Sequence, residues 1–178
     1  VIRARAFEPG KLPGEINTAT YIVNDDHPET DVAEYFITCK SEDFDYLYAN
    51  YEENTYVPVT ITYKGKLWSQ VGMRIRGDDS RQLPKKSLKL KFSGEPFQFG
   101  SDMLNFNAEY YDRSYISQYL TSRLMRESGH PVFKSEHARV YLNGKYLGLY
   151  LRIENIDEYF LEANNLDPEG NLYKATVD

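Results

Sequence analysis

With 178 residues, 41% hydrophobic and 27% charged, the chain can bury one sizeable core, and this composition excludes wholesale disorder. A formal charge of -6 argues against a nucleic-acid partner, because such binding relies on displacing the counterions around phosphates. The single Cys39 excludes an intrachain disulfide, three histidines without metal-like spacing argue against zinc, and no apolar run is long enough to span a membrane.

Sixteen Tyr and nine Phe point to β-rich structure. Residues 1–24 alternate and turn like a β-hairpin, with Ile2, Ala4 and Ala6 on one side, a loop through Pro9-Gly10 and Pro13-Gly14, and a return over residues 18–23. Residues 25–31, DDHPETD, are acidic and polar and contain a proline, which reads as a linker. The pattern restarts at Val32 with Tyr35 and Ile37, and Ser41 with Asp43 opens a short helix to Tyr51. Val57, Val59, Ile61 and Tyr63 alternate with Pro58, Thr60 and Thr62 in a strand that turns at Lys64-Gly65 and continues through Leu67.

Residues 71–92, VGMRIRGDDSRQLPKKSLKLKF, hold Arg74, Arg76, Arg81, Lys85, Lys86, Lys89 and Lys91, seven of the 21 basic residues of an acidic chain. Val71-Met73-Ile75 and Leu88-Leu90-Phe92 alternate around a polar turn with Gly77 and Pro84, giving strand, loop, strand. The charge either gathers an anion or marks the solvent faces of two half-buried strands, where lysine deters edge pairing. A turn-rich connection, SGEPFQFGSD, follows.

Asp112 is the expected N-cap of one long helix to Glu127, built on Ile116, Tyr119, Leu120, Arg123 and Leu124, with Gly129 and Pro131 ending it. Residues 136–154 form a hairpin around Asn143-Gly144, the favoured type I′ pair. Asn155 with Glu158 makes a capping box for a helix to Asn164, and NLYKATVD begins another strand. The expected fold class is α+β, a mostly antiparallel sheet with one long helix.

Five blocks carry a sharper signal: RIRG at 74–77, KKSLKLKF at 85–92, LNFNAEYYDRS at 104–114, Gly129-His130-Pro131, and VYLNGKYLGLYLRIENID at 140–157. In this order they resemble the signature blocks of the spore coat protein H (CotH) kinase family. The resemblance implies a secreted or spore-surface atypical protein kinase that moves the ATP γ-phosphate to Ser or Thr of a protein substrate, with Mg or Mn. It also implies that residues 32–178 fold like a kinase N-lobe through its hinge, with the C-terminal lobe as missing partner. Residues 1–24 resemble the closing hairpin of an upstream β-sandwich domain.

On that resemblance, Lys86 is the lysine for phosphate, because it shares inward parity with Leu88, Leu90 and Phe92 and a buried lysine without an anion is costly. Lys85, Lys89 and Lys91 have opposite parity and are expected in solvent. Arg74 and Arg76 precede Gly77, where a phosphate-facing loop would sit; Arg76 could equally pair with Asp78 or Asp79, whose carboxylates repel phosphate unless a metal intervenes. Glu154 is read either as a hinge residue near adenine or ribose, or as a helix-entry residue favoured by the local dipole. No catalytic or metal-binding residue is expected in the chain, since those of kinases lie after the hinge, and the 178 residues alone are expected to transfer no phosphoryl group. The rival reading keeps the fold without the chemistry, as a surface adhesion or carbohydrate-associated binding module.

Overall fold

The computed structural model describes residues 2–19, 31–93, 97 and 100–173, which fall into two compact units, Val1–Asp31 and Val32–Asp178. In the first, β1 (Ile2–Arg5) and β2 (Ile16–Ala19) pair antiparallel, with Ile2 opposite Ala19 and Arg5 opposite Ile16. Arg5 Nε donates to the Gly14 carbonyl at 2.7 Å, and the Gly14 N–H to the Ala6 carbonyl at 3.0 Å, closing the loop. All of the expected linker except Asp31 lies outside the described residues, as does the end of the expected last strand.

The second unit runs β3 (Ala33–Cys39), α1 (Ser41–Ala49), β4 (Val57–Tyr63), β5 (Lys66–Arg76), β6 (Ser87–Phe92), β7 (Met103–Asn107), α2 (Ser117–Glu127), β8 (Ser135–Leu142), β9 (Lys145–Ile153) and α3 (Glu158–Ala163). The seven strands close into a barrel in the order β3-β4-β5-β6-β7-β9-β8. Neighbours are antiparallel except at the seam, where β3 pairs parallel to β8 with Ala33 opposite Ala138 and Ile37 opposite Leu142. At the Asn143-Gly144 turn both residues have positive φ, 49° and 80°, as a type I′ turn requires. Asn143 also fixes the seam: its Oδ1 accepts from the Cys39 N–H at 2.9 Å and its N–H donates to the Ile37 carbonyl at 2.9 Å.

Strand alternation explains why closure works. Tyr35, Ile37, Val57, Val59, Ile61, Val71, Met73, Ile75, Leu88, Leu90, Phe92, Leu104, Phe106, Ala138 and Val140 are all buried in one cluster. A barrel of this size has an interior just wide enough for its own side chains. Tyr35 stacks on Tyr63 with centroids 4.5 Å apart and meets Phe106 edge-on at 5.0 Å. Arg152, also buried, donates to the Tyr35 hydroxyl at 2.9 Å and pairs with Glu136 at 2.6 Å.

This architecture corrects the expected fold class. The unit is a closed, mostly β barrel and not an α+β kinase N-lobe with one long helix: α1, α2 and α3 have 9, 11 and 6 residues. The sheet covers its own apolar face by curling, so no long helix is needed to do so. Asp112 does not begin a helix. Its carboxylate accepts from the N–H groups of Ser114 at 3.0 Å and Ser117 at 2.8 Å, folding residues 112–116 into a turn that delays α2. Only Ser122 of α2 is buried, and Ile116, Leu120 and Leu124 remain exposed. The cap of α3 is Asp157, accepting from the Phe160 N–H at 3.2 Å, where Asn155 was expected. Among the described residues no helix is long and apolar enough to cross a membrane.

Candidate functional site

Because the barrel interior is filled, chemistry must be sought on its outside or at its ends. The outward residues of β5, β6 and β7 are Arg74 and Arg76, then Ser87, Lys89 and Lys91, then Asn105 and Asn107. Register sets Arg74 opposite Lys89 and Lys89 opposite Asn105, with Arg76 opposite Ser87, so the polar residues form rows across three strands. Like charges directly opposite one another are destabilising, which makes this patch costly without an anion. The Lys89 amine is pushed below its ordinary range, first by burial and then by the charges of Arg74 and Arg76, with Asp157 and Asp102 opposing. Arg76 is lowered to about 10 by burial and by Arg74.

Amides organise the rest of the face. Asn155, just after β9, accepts at Oδ1 from Lys89 Nζ at 3.1 Å and from Asn105 Nδ2 at 3.2 Å. Its own Nδ2 donates to Asp157 Oδ2 at 2.7 Å, which also receives Ser101 Oγ at 2.8 Å. Asn105 is 3% exposed, and its Oδ1 is a buried acceptor without a hydrogen-bond donor. Such an atom costs free energy unless a ligand N–H or O–H, or a water, reaches it.

At the Gly77 end of the rows the surface opens into a pocket of about 390 Å³, lined by Arg76, Gly77, Lys85, Asn107, Glu109 and Tyr111 among others. Arg76 Nη1 donates to Asn107 Oδ1, whose amide in turn donates to Gln118 of α2 at 2.8 Å. Lys85 Nζ donates to the carbonyls of Ala108, at 2.8 Å, and Leu149, and lies 4.3 Å from the Tyr150 ring centroid. Burial lowers its pKa to about 8, with Glu109 pulling the other way. Burial and then Asp112 raise the Glu109 carboxyl, while donors from Ser114 and Ser117 hold Asp112 well below the usual carboxylate range. Two cations and two unlike acids thus ring one opening.

Of the residues expected from sequence, Arg76 and Gly77 line this pocket and Arg74 stands in the adjacent row. Lys86 is buried with inward parity, but its amine donates to the Arg81 carbonyl and covers the Tyr51 ring at 4.2 Å. Glu154 is buried at the end of β9, where Oε2 accepts from the Lys134 N–H at 2.9 Å and Oε1 lies 4.0 Å from the Lys134 amine. Lys85 and Lys89, expected in solvent, are half-buried, whereas Lys91 is exposed. Parity reasoning passed over Lys89, Asn105, Asn107 and Asn155. The N-x-N spacing in LNFN was the available signal, since it puts both amides on the face away from Leu104 and Phe106.

Among the described residues no group of three or more His, Cys, Asp or Glu is placed to hold a metal ion. No step below passes through a metal ion.

Comparison with known proteins places these blocks. A stretch of 108 residues, 61% of this chain, is 33% identical to inner spore coat protein H of Bacillus subtilis (strain 168) and covers 30% of that protein's length. The chain thus spans only about a third of the relative it matches. The model of the CotH kinase protein family matches residues 73–178, from the middle of β5 to the last residue, and takes in Arg74, Arg76, Lys85, Lys89, Asn105, Asn107 and Asn155. The chain belongs to the CotH kinase protein family.

Proposed function

We propose that the outer face of β5–β7, with the pocket beside Gly77, binds the phosphates of ATP in a phosphotransferase that acts on Ser or Thr of proteins at a spore or cell surface. The observation that carries this is the convergence of Arg74, Arg76 and Lys89, half-buried and mutually repelling, whose hydrogen bonds among the described residues go to neutral side-chain amides and a backbone carbonyl. A polyanion relieves that repulsion. Charge-assisted bonds from buried cations are worth more than exposed ones, because their desolvation is already paid for in the fold. The surface location rests on the name of the spore coat relative.

In this reading Arg74 and Arg76 orient phosphate oxygens, Lys89 is held on target by Asn155, and Lys85 lends a second positive charge at the pocket. Titration calorimetry with ATP, with and without magnesium or manganese, tests it. Saturable binding is expected, weakened at least about tenfold by Arg76→Gln or Lys89→Gln and unchanged by Lys91→Gln, since each lost charged bond is worth about 1.5–3 kcal/mol. Absence of saturable binding, or equal loss in all three variants, would overturn the proposal.

A non-catalytic carbohydrate-binding role has one observation in its favour. Tyr110 and Tyr111, both exposed and 5.7 Å apart edge-on, line the same pocket beside Glu109 and Asp112. Aromatic faces beside carboxylates suit a sugar. Binding of a soluble oligosaccharide in place of ATP would favour this reading.

A further inference from the structure

Arg81 belongs to no strand. It sits in the 3₁₀ turn Asp79–Gln82, which follows Gly77, and its guanidinium bonds in three directions. Nε donates to the Gly77 carbonyl at 2.6 Å, across the turn itself. Nη1 donates to the Glu52 carbonyl at 2.7 Å and Nη2 to Asn54 Oδ1 at 2.8 Å, both between α1 and β4. The same Asn54 oxygen accepts from Arg74 Nη1 at 3.0 Å. The Arg81 carbonyl takes the Lys86 amine, so the turn is gripped at main chain and side chain. Gly77 has a φ of 121°, and a Cβ there would come within 2.2 Å of Ser80 Oγ, so any other residue would strain the turn.

We propose that Arg81 is a positioning residue that locks residues 77–83 into their ligand-ready shape, and that Asn54 aligns it with Arg74 through one shared oxygen. The loop lines the pocket through Gly77, Ser80 and Leu83. A surface loop of this kind ordinarily pays for its ordering when the ligand arrives. Here the ordering is paid during folding, by a planar fork whose donors match three fixed acceptors; a lysine ammonium is a point charge and cannot span them. Lys86 gains a role by the same geometry, as the second tie on the turn. The lock stands on geometry alone, whereas its bearing on the ligand rests on the proposed ATP site.

Hydrogen exchange on the 178-residue chain tests the lock without any ligand. The amides of Arg81 and Leu83 donate to the carbonyls of Asp78 and Ser80 at 3.0 and 3.3 Å and report the turn. In Arg81→Ala and in Asn54→Ala these two amides should exchange faster while those of β5 and β6 keep their rates. Asn54→Asp, which retains an acceptor oxygen, should restore protection, and Arg81→Lys should not. Unchanged exchange in both alanine variants, an equal rise across the barrel strands, or rescue by Arg81→Lys would overturn the lock. In a second arm, ATP affinity should fall about tenfold in Arg81→Ala if the loop is then correctly shaped about a tenth of the time. Unchanged affinity beside a loosened loop would overturn its bearing on the ligand. A wild-type chain that takes no ATP would sink the proposed function, with the exchange data still deciding the lock.

Discussion

The two faces of β5–β7 differ as sharply as two regions of one sheet can. Inward, Val71, Met73, Ile75, Leu88, Leu90, Phe92, Leu104 and Phe106 pack against one another and the far strands. Outward, Arg74, Arg76, Lys89, Asn105 and Asn107 stand in rows, and the charged ones repel each other. The inward face stabilises the barrel through apolar burial, which the outward face does not supply. The outward face holds cations half out of water against mutual repulsion, a cost that only a stable support can carry and only an anion can recover. The difference teaches where to look in a filled barrel: the proposed site lies on the side that does not help it fold.

Four substitutions press on that contrast, in descending order of expected effect. Phe106→Ala removes an inward ring that meets Tyr35 at 5.0 Å and Tyr150 at 6.3 Å, and should lower unfolding free energy by about 3–5 kcal/mol in a urea titration. Gly77→Ala strains the turn below the outward rows, where φ is 121°, and should cost about 1–3 kcal/mol in the same titration, with faster exchange confined to residues 77–83. Lys85 provides a pH handle. Unfolded, it keeps its proton up to its ordinary 10.5; folded, it releases it near 8, so between these values the unfolded state binds more protons. Stability should therefore gain a contribution as pH rises from about 8 to 10.5, and Lys85→Met should remove that part of the slope in thermal melts at matched ionic strength. Leu124→Lys, on the exposed side of α2, should change stability by no more than about 0.5 kcal/mol. If it costs as much as Phe106→Ala, α2 has a role in folding that its burial does not show.

What could be read in advance follows the same division. Alternation identified the inward residues of β4, β5 and β6 correctly, whereas β9 turns Tyr150 and Arg152 inward, opposite Ala138 and Phe106; the Asn143-Gly144 turn follows from the φ values its residues tolerate. Closure was not legible. It depends on β7, five residues flanked by turn signals, and on a parallel pairing that no local pattern reports. The helix expected from Asp112 to Glu127 begins only at Ser117, because an aspartate that can cap a helix can equally close a turn, and Ser114 and Ser117 decide between the two. For the site, the assumption that a functional lysine points inward drew attention to Lys86. In an open sheet the inward face can meet a ligand, but in a closed one it meets only other strands. Once the strands curl, Lys89 and Asn105 opposite it stand on the outward face of the same sequence blocks.

The parallel seam between β3 and β8 has a consequence for how the molecule is made. Cys39 and Asn143, joined by a hydrogen bond across it, are 104 positions apart. During synthesis β3 therefore emerges with β4 as its only neighbour and keeps one unpaired edge until β8 has been made. Such an edge is the usual route to mispairing between nascent chains. Once β8 arrives, Glu34 of β3 ties the edge down, accepting from the Tyr141 hydroxyl at 3.1 Å and pairing with Arg139 at 3.7 Å. Because the seam joins positions 104 residues apart, refolding should be slow for a protein of this size.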